Sequence, residues 1–240
     1  MRSGRLIAIG DVHGCVHALD AVLEVIEPTD SDHLVFLGDL VDQGKETREV
    51  LERILTLQGS TQVTLIQGNH EEMMFAARES NDALRYWENC GGVATLNSYR
   101  FGATLAEVPA SHWALLESGL PYFETDDCIF THANYLADLP MADQPGYQLR
   151  WSLFEAKKEQ PHFSGKTVVV GHTEQKNAEI LDLGFALCID TVCWKYGWLT
   201  AIDMRSREVW QASRWGVLRE PDEATHRHLL KELLQPSAVA

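Results

Sequence analysis

Residues 5–14 read Arg5-Leu6-Ile7-Ala8-Ile9-Gly10-Asp11-Val12-His13-Gly14. A short apolar run stops at a glycine, two polar residues follow in a glycine-flanked loop, and apolar positions resume at Val16, Leu19, Val22, Leu23 and Ile26 before Pro28. The first run is too short for a stable helix and ends in turn residues. The second recurs every three or four residues, so it buries one face of a helix, and Pro28 stops it. The unit is strand, loop, helix.

Working outward, the same unit recurs twice. Residues 34–37 are apolar, Gly38-Asp39-Leu40-Val41-Asp42-Gln43-Gly44 is a loop, and Val50, Leu51, Ile54 and Leu55 stand at helical spacing. Residues 63–66 lead into Gly68-Asn69-His70-Glu71 and a helix over about 71–79. Three such units in succession predict a parallel sheet flanked by helices, with ligands gathering at the carboxyl ends of its strands. Residues 82–120 read as helical with a break at Gly91-Gly92, and would cover one flank of that edge. Apolar strands return at 128–131 and 167–170, followed by Thr131-His132-Ala133 and Gly171-His172-Thr173. Alternating runs at 180–183, 186–189, 198–203 and 208–212, separated by turn residues, predict antiparallel hairpins in a second sheet. A polar helix over 222–234 closes the chain, and 236–240 is expected to fray. The whole reads as a single domain over 1–240, with a catalytic core at about 5–203 and a C-terminal strand and helix at 207–235.

Composition narrows the function classes. Of 240 residues, 45% are hydrophobic and 23% charged, which suits an ordered globular chain. The net charge of −15 repels polyanions and leaves no footprint for nucleic acid. No run approaches the roughly 18 apolar residues of a membrane helix, and the apolar stretch after Arg5 is too short for a signal peptide. Five cysteines without paired CxxC spacing suit reduced thiols. The expectation is a cytoplasmic protein with no membrane partner.

The five loops together offer carboxylates, an amide oxygen and several imidazoles, and no thiolate. Such a nitrogen and oxygen set suits Mn, Fe or Zn. Any one of these loops could be turn or cap residues alone. Five of them, each after an apolar strand, point to one site.

In order and wording the five loops resemble the phosphoprotein phosphatase branch of the calcineurin-like metallophosphoesterases, especially its short bacterial and phage members and the symmetrical diadenosine tetraphosphatases. The resemblance runs over about residues 5–203. It implies a four-layer αββα sandwich, two mixed β-sheets flanked by helices, with two divalent metal ions at the sheet edges. It makes Asp11, His13 and Asp39 ligands of the first ion, with Asp39 bridging to a second completed by Asn69, His132 and His172. His70 becomes the general acid that protonates the leaving oxygen, and Asp42 the carboxylate that orients its ring. The physics is compatible with these roles. Two cations lower the pKa of a shared water from about 15.7 towards about 7, so that a hydroxide attacks in line. Histidine, with an ordinary pKa of about 6.5, suits proton delivery.

Gln43 and Gln67 depart from the pattern, since many family members carry arginine there. Arg150, beside Trp151, is the candidate for the remaining guanidinium at the phosphate. Exchanging a charged hydrogen bond for a neutral one costs about 1 kcal/mol of transition-state binding per position. Weaker preference for dianionic monoesters, with some diester activity, is expected; alternatively the glutamines bond the same oxygens and specificity hardly changes. The leading expectation is a Mn-preferring phosphatase of phosphoserine and phosphothreonine type, acting on a phosphorylated protein or a small phosphoester. A dinucleoside polyphosphate hydrolase is the alternative. That substrate needs a stacking aromatic and a basic clamp, and few Lys or Arg adjoin the motifs. Trp194, Trp198, Trp210 and Trp215 are read as packing residues, with substrate stacking as the other reading. An inactive metal-binding interaction module is a third reading, and the presence of His70 and Asp42 argues against it. Glu71 is read as a buttress of its loop.

Overall fold

Ile7, Ala8 and Ile9 of β1 (Leu6–Ile9) are fully buried, although they point alternately to opposite faces. A strand apolar on both faces has to lie between two layers. In the computed structural model, which describes residues 4–220, it is a central strand of the first of two sheets. β2 (His33–Phe36) and β3 (Gln62–Leu65) follow it in parallel, Ile7 opposite Leu34 and Leu34 opposite Val63. The second sheet has the order β4 (Tyr122–Glu124), β5 (Cys128–Thr131), β6 (Thr167–Val170), β8 (Ala186–Cys188), β7 (Leu181–Asp182).

The two sheets meet face to face through Ala8, Val35, Leu37 and Ile66 on one side and Phe130, Val169, Leu187 and Ile189 on the other. Helices α1 (Val16–Ile26) and α2 (Thr47–Leu57) cover the outer face of the first sheet. In α1 the buried residues Val16, Leu19, Val22, Leu23 and Ile26 form the predicted stripe, each worth about 1.5–3 kcal/mol when fully buried. The helix ends with Glu27 in the left-handed region just before Pro28. The outer face of the second sheet packs on Tyr135, Met141, Phe154 and Leu149 of α7 (Gly146–Trp151). The architecture is the expected one: two mixed five-stranded sheets between helical layers.

One expectation fails. β9 (Leu199–Asp203) and β10 (Val209–Ala212) form a hairpin, but it joins the first sheet, where β9 runs antiparallel to β1 with Ala8 opposite Ile202. Every residue of β9 is buried, and it pairs the side of β1 that β2 leaves free. In the second sheet only β7 and β8 make the expected hairpin, while β8 runs parallel to β6. The helix expected over 222–234 and the frayed end lie outside the described residues.

The middle region is helical as read: α3 (Asn69–Ala76), α4 (Asn81–Trp87), α5 (Val93–Tyr99) and α6 (Ala110–Glu117). A wide π turn, Glu88–Gly92, joins α4 to α5, and Gly91 at φ 117 supplies the break that Gly91-Gly92 announced. No helix among the described residues is long and apolar enough to cross a membrane, and the cysteines are free thiols.

Candidate metal centre

The loops after β1, β2, β3, β5 and β6 converge at one rim of the sandwich. Backbone strain concentrates there: of nine non-glycine residues with positive φ among the described residues, five are His13, Asp39, Asp42, Gln43 and His172. Each strained residue costs about 1–3 kcal/mol, and such residues cluster where a site must be held in shape. Glu71, from the first turn of α3, ties two loops together by accepting the N–H groups of Asp39 at 2.9 Å, Leu40 at 2.7 Å and Gly68 at 2.9 Å. It is the buttress the sequence suggested. Gly68 is required by close approach, because a Cβ there would collide with Asp39 Oδ1.

Asp39 stands at the centre. His13 Nε2 lies 3.5 Å from its Oδ2, and His132 Nε2 lies 3.4 Å from its Oδ1. Asn69 Oδ1 sits 2.9 Å from His132 Nε2 and 3.0 Å from His172 Nδ1. The ligand atoms of Asp39, His132 and His172 fall within 4.8 Å of one another, and so do those of Asp39, His13 and His70. Asp11 adjoins them, its Oδ2 accepting the His172 N–H at 3.0 Å. All six residues expected to bind metal are therefore brought to one rim.

His13 Nδ1 donates to the Val41 carbonyl at 2.9 Å, His132 Nδ1 to the Leu37 carbonyl at 2.8 Å, and His172 Nε2 to the Trp151 carbonyl at 3.2 Å. A carbonyl only accepts, so each ring carries its proton on that far nitrogen. In the neutral rings of His13 and His172 the near nitrogen presents a lone pair to Asp39 and to Asn69, so acceptors face acceptors; in His132 burial opposes the charge but Asp39 outweighs it and pushes the ring above its ordinary value. Asp11 Oδ1 is buried with no hydrogen-bond partner at all. A neutral imidazole fixed by its other N–H is the usual form of a metal ligand, and the crowd of lone pairs fits divalent cations. Burial drives His13 and His172 down to about 4, which keeps both neutral near pH 7. Burial also raises Asp11 well above the ordinary carboxylate range, with Asp190 and Asp39 adding repulsion.

His70 is different. Its ring stacks edge-on to His13 with centroids 4.8 Å apart, yet its Nδ1 meets the Asp42 carboxylate at 2.7 Å. Burial opposes its charge, but Asp39 and Asp42 outweigh burial and push it up to about 9. The two touching rings are thus pushed in opposite directions. His70 Nε2 lies 4.0 Å from Asp39 Oδ2 and faces the cluster.

The expected phosphate contacts are arranged less simply. Arg150 is ion-paired through Nε with Glu72 on α3. Gln43 Nε2 is bonded to the Cys90 carbonyl at 2.9 Å, across the π turn. Gln67 is half-buried, and its backbone N–H bonds the Leu120 carbonyl. Trp194 packs against the core as read, and its ring also lies 6.4 Å from that of His13 while its Nε1 donates to Glu174 at 3.2 Å. Of the other described histidines, His33 bonds Thr64, His112 bonds Tyr99 and His162 bonds the Leu139 carbonyl, while His17 is exposed.

Sequence reasoning missed three residues. Trp87 and Thr95 both bond Asp42, and Asp190, buried after β8, is close enough to repel Asp11 and is itself pushed up to about 7 by burial. None belongs to a motif. The glycine break between Trp87 and Thr95 was the available hint.

The sequence model of the calcineurin-like phosphoesterase family matches residues 4–184. The chain belongs to that family. Among curated proteins, this family member is 44% identical over 69 residues to the symmetrical bis(5'-nucleosyl)-tetraphosphatase of Salmonella typhimurium; the match covers 28% of this chain and 24% of that protein. The chain thus spans about a quarter of the length of the curated relatives it matches. Its fold is similar to that of a solved protein described as a diadenosine tetraphosphatase (TM-score 0.65, 19% identity, 88% of this chain and 94% of the other). It is also similar to a serine/threonine phosphatase of Saccharomyces cerevisiae (TM-score 0.63, 14% identity, 92% and 82%). A protein-tyrosine phosphatase of a psychrophilic Shewanella shares the fold as well (TM-score 0.60, 18% identity, 90% and 80%).

Proposed function

We propose that this calcineurin-like chain is a phosphatase that hydrolyses phosphate monoesters, of phosphoserine and phosphothreonine type, as one catalytic domain in the cytoplasm. The carrying observation is the convergence of His13 and His132 on Asp39 and of His132 and His172 on Asn69 Oδ1, with the far nitrogen of each ring held by a carbonyl and Asp11 Oδ1 unpartnered beside them. Asp11, His13 and Asp39 would hold one divalent ion and Asp39, Asn69, His132 and His172 a second. Manganese suits this thiolate-free set, with iron or zinc as alternatives. When bound, the ions make water a nucleophile near neutral pH and stabilise charge on the phosphate oxygens.

The chain's own groups do the rest. His70 delivers a proton from Nε2 to the leaving oxygen, while its Nδ1–H stays bonded to Asp42. Arg150, which is paired with Glu72, and Gln67 would meet the phosphate oxygens. Gln43 is partly committed, since one amide proton is spent on the Cys90 carbonyl, and this favours a weakened grip on dianionic monoesters. Gln43→Arg should then lower the diester-to-monoester rate ratio on aryl phosphates; an unchanged ratio removes that idea.

A dinucleoside polyphosphate hydrolase is the second reading. Beside the matched tetraphosphatase, the rim supplies features such a substrate needs. Lys195 lies 4.4 Å from the Trp194 ring, and Arg214 bonds the Trp194 carbonyl and stacks on the exposed Trp215. Lys195 is nevertheless paired with Glu174, so the clamp is half neutralised. Steady-state rates on a phosphopeptide and on diadenosine tetraphosphate, with manganese and after chelation, decide between the readings. No metal-dependent hydrolysis of either, nor of p-nitrophenyl phosphate, refutes both and leaves an interaction module.

A further inference from the structure

Asp42 has no exposed surface, and its polar atoms are all engaged. Oδ2 accepts from His70 Nδ1 at 2.7 Å and from Trp87 Nε1 at 2.8 Å. Oδ1 accepts the Thr95 hydroxyl at 2.8 Å, and the Asp42 N–H donates back to the same hydroxyl oxygen at 2.8 Å. Thr95 has one hydroxyl proton, and Asp42 takes it. The Thr47 hydroxyl, 3.3 Å away, therefore donates to Thr95 and fixes its rotor.

Trp87 closes α4 and Thr95 lies in α5. In one regular helix they would stand about 12 Å apart along the axis and could not share a carboxylate. The π turn between them, with Gly91 at φ 117, bends the chain so that the indole and the hydroxyl reach the two oxygens of one side chain. Wide turns of this kind are frequent at functional sites.

We infer that Trp87 and Thr95 are positioning residues for proton delivery, acting on His70 through Asp42; the inference rests on the reading of His70 as the general acid. In that step the Nε2–H bond of His70 breaks and an O–H bond forms on the departing alkoxide. The ring keeps its Nδ1 proton, donated to Asp42. A carboxylate free to rotate would let the imidazole swing off the leaving oxygen, and the two donors on Asp42 prevent that. Their removal matters in proportion to the leaving group's need for a proton. A nitrophenolate departs with little help, whereas a serine alkoxide does not.

The test compares p-nitrophenyl phosphate with phosphoserine for wild type, Trp87→Phe, Thr95→Val, Thr95→Ser and His70→Asn, all loaded with manganese. Trp87→Phe and Thr95→Val are expected to lose less than about threefold in kcat on the aryl ester and about tenfold or more on phosphoserine, with KM unchanged. Thr95→Ser keeps the hydroxyl and restores the rate. Equal losses on both esters overturn the inference and leave Trp87 and Thr95 as ordinary core residues. His70→Asn separates the two levels: if its loss is equal on both esters, the general-acid reading itself falls. If its loss is selective and that of Thr95→Val is not, only the positioning inference falls. As a readout apart from activity, the Nδ1–H proton of His70 in nitrogen-15 histidine spectra of metal-free protein should persist in Thr95→Ser and broaden in Thr95→Val. Persistence in both overturns the inference, and Trp87→Phe decides alone should Thr95→Val fail to fold.

Discussion

At one rim of the sandwich carboxylates meet histidines, and at the other they meet arginine and lysine. Where the parallel strands end, Asp42 is paired with His70, Asp39 is ringed by imidazoles, and Asp11 Oδ1 has no partner. Where those strands begin, Asp32 is held by Arg5 at 2.7 Å, Glu124 by Lys166 at 2.9 Å and Asp182 by Arg207 at 2.9 Å. The second rim is what folding alone would select, since each charge is compensated inside the chain. At the first rim compensation is withheld and the backbone is strained, which makes sense if the missing positive charge comes from bound ions. The chemistry and the stability of this protein should therefore be separable by rim.

The largest expected contrast pairs Asp39→Asn with Asp32→Asn. Asp39→Asn should bring hydrolysis of p-nitrophenyl phosphate to background and lower the metal content found by elemental analysis. Asp32→Asn should leave both at wild-type values. If Asp32→Asn were equally inactive while folded, the division between rims would be broken.

Next in size is a contrast within the first rim. His13 and His70 touch, but a backbone carbonyl holds the far nitrogen of one and a carboxylate that of the other. His70→Asn should cost about 10²- to 10⁴-fold in kcat while the metal content stays. His13→Asn should lose metal along with activity. Loss of metal in both variants would mean that His70 is a ligand rather than an acid.

These contrasts also mark what could be read from the chain before it was folded. Each of the five loops announced itself, because an apolar strand followed by glycine and polar residues is a local pattern. The sheet assignment of β9 and β10 was not local. Alternation defines a hairpin but not the edge it joins, and only the full burial of 199–203 against β1 decides that. Trp87 and Thr95 were silent for a related reason: they meet Asp42 through a bend, and helical spacing describes straight segments.

A third contrast concerns the ions as structural ligands. Manganese at about a hundredfold excess over its dissociation constant should stabilise the fold by about 2.7 kcal/mol, or about 5–10 °C in Tm for a chain of this size. Asp11→Asn should blunt the response, and Arg5→Met should leave it intact. Calorimetry with and without chelator measures this. A full manganese shift in Asp11→Asn would show that Asp11 is dispensable for binding.

The smallest effect belongs to the quiet rim and has a defined dependence on pH. The Arg5 side chain, donating from Nε at 3.1 Å and Nη2 at 2.7 Å, holds the Asp32 carboxyl well below the usual range against the opposing effect of burial. A carboxylate lowered in the folded state stabilises fully above its unfolded pKa of about 3.9, and the contribution is lost as the pH falls through the folded value. Arg5→Met should cost about 1 kcal/mol at pH 7, because the guanidinium is partly exposed and screened. The Tm difference from wild type should be steady from pH 7 to about 5 and shrink below about pH 4. Thermal unfolding followed across that range checks the sign. A difference that stayed constant below pH 4 would trace the loss to the stem of Arg5 or its bond to the Glu27 carbonyl rather than to the ion pair. Altered kcat at pH 7 would mean that the two rims are coupled through β1, with Arg5 at one end of the strand and Asp11 at the other.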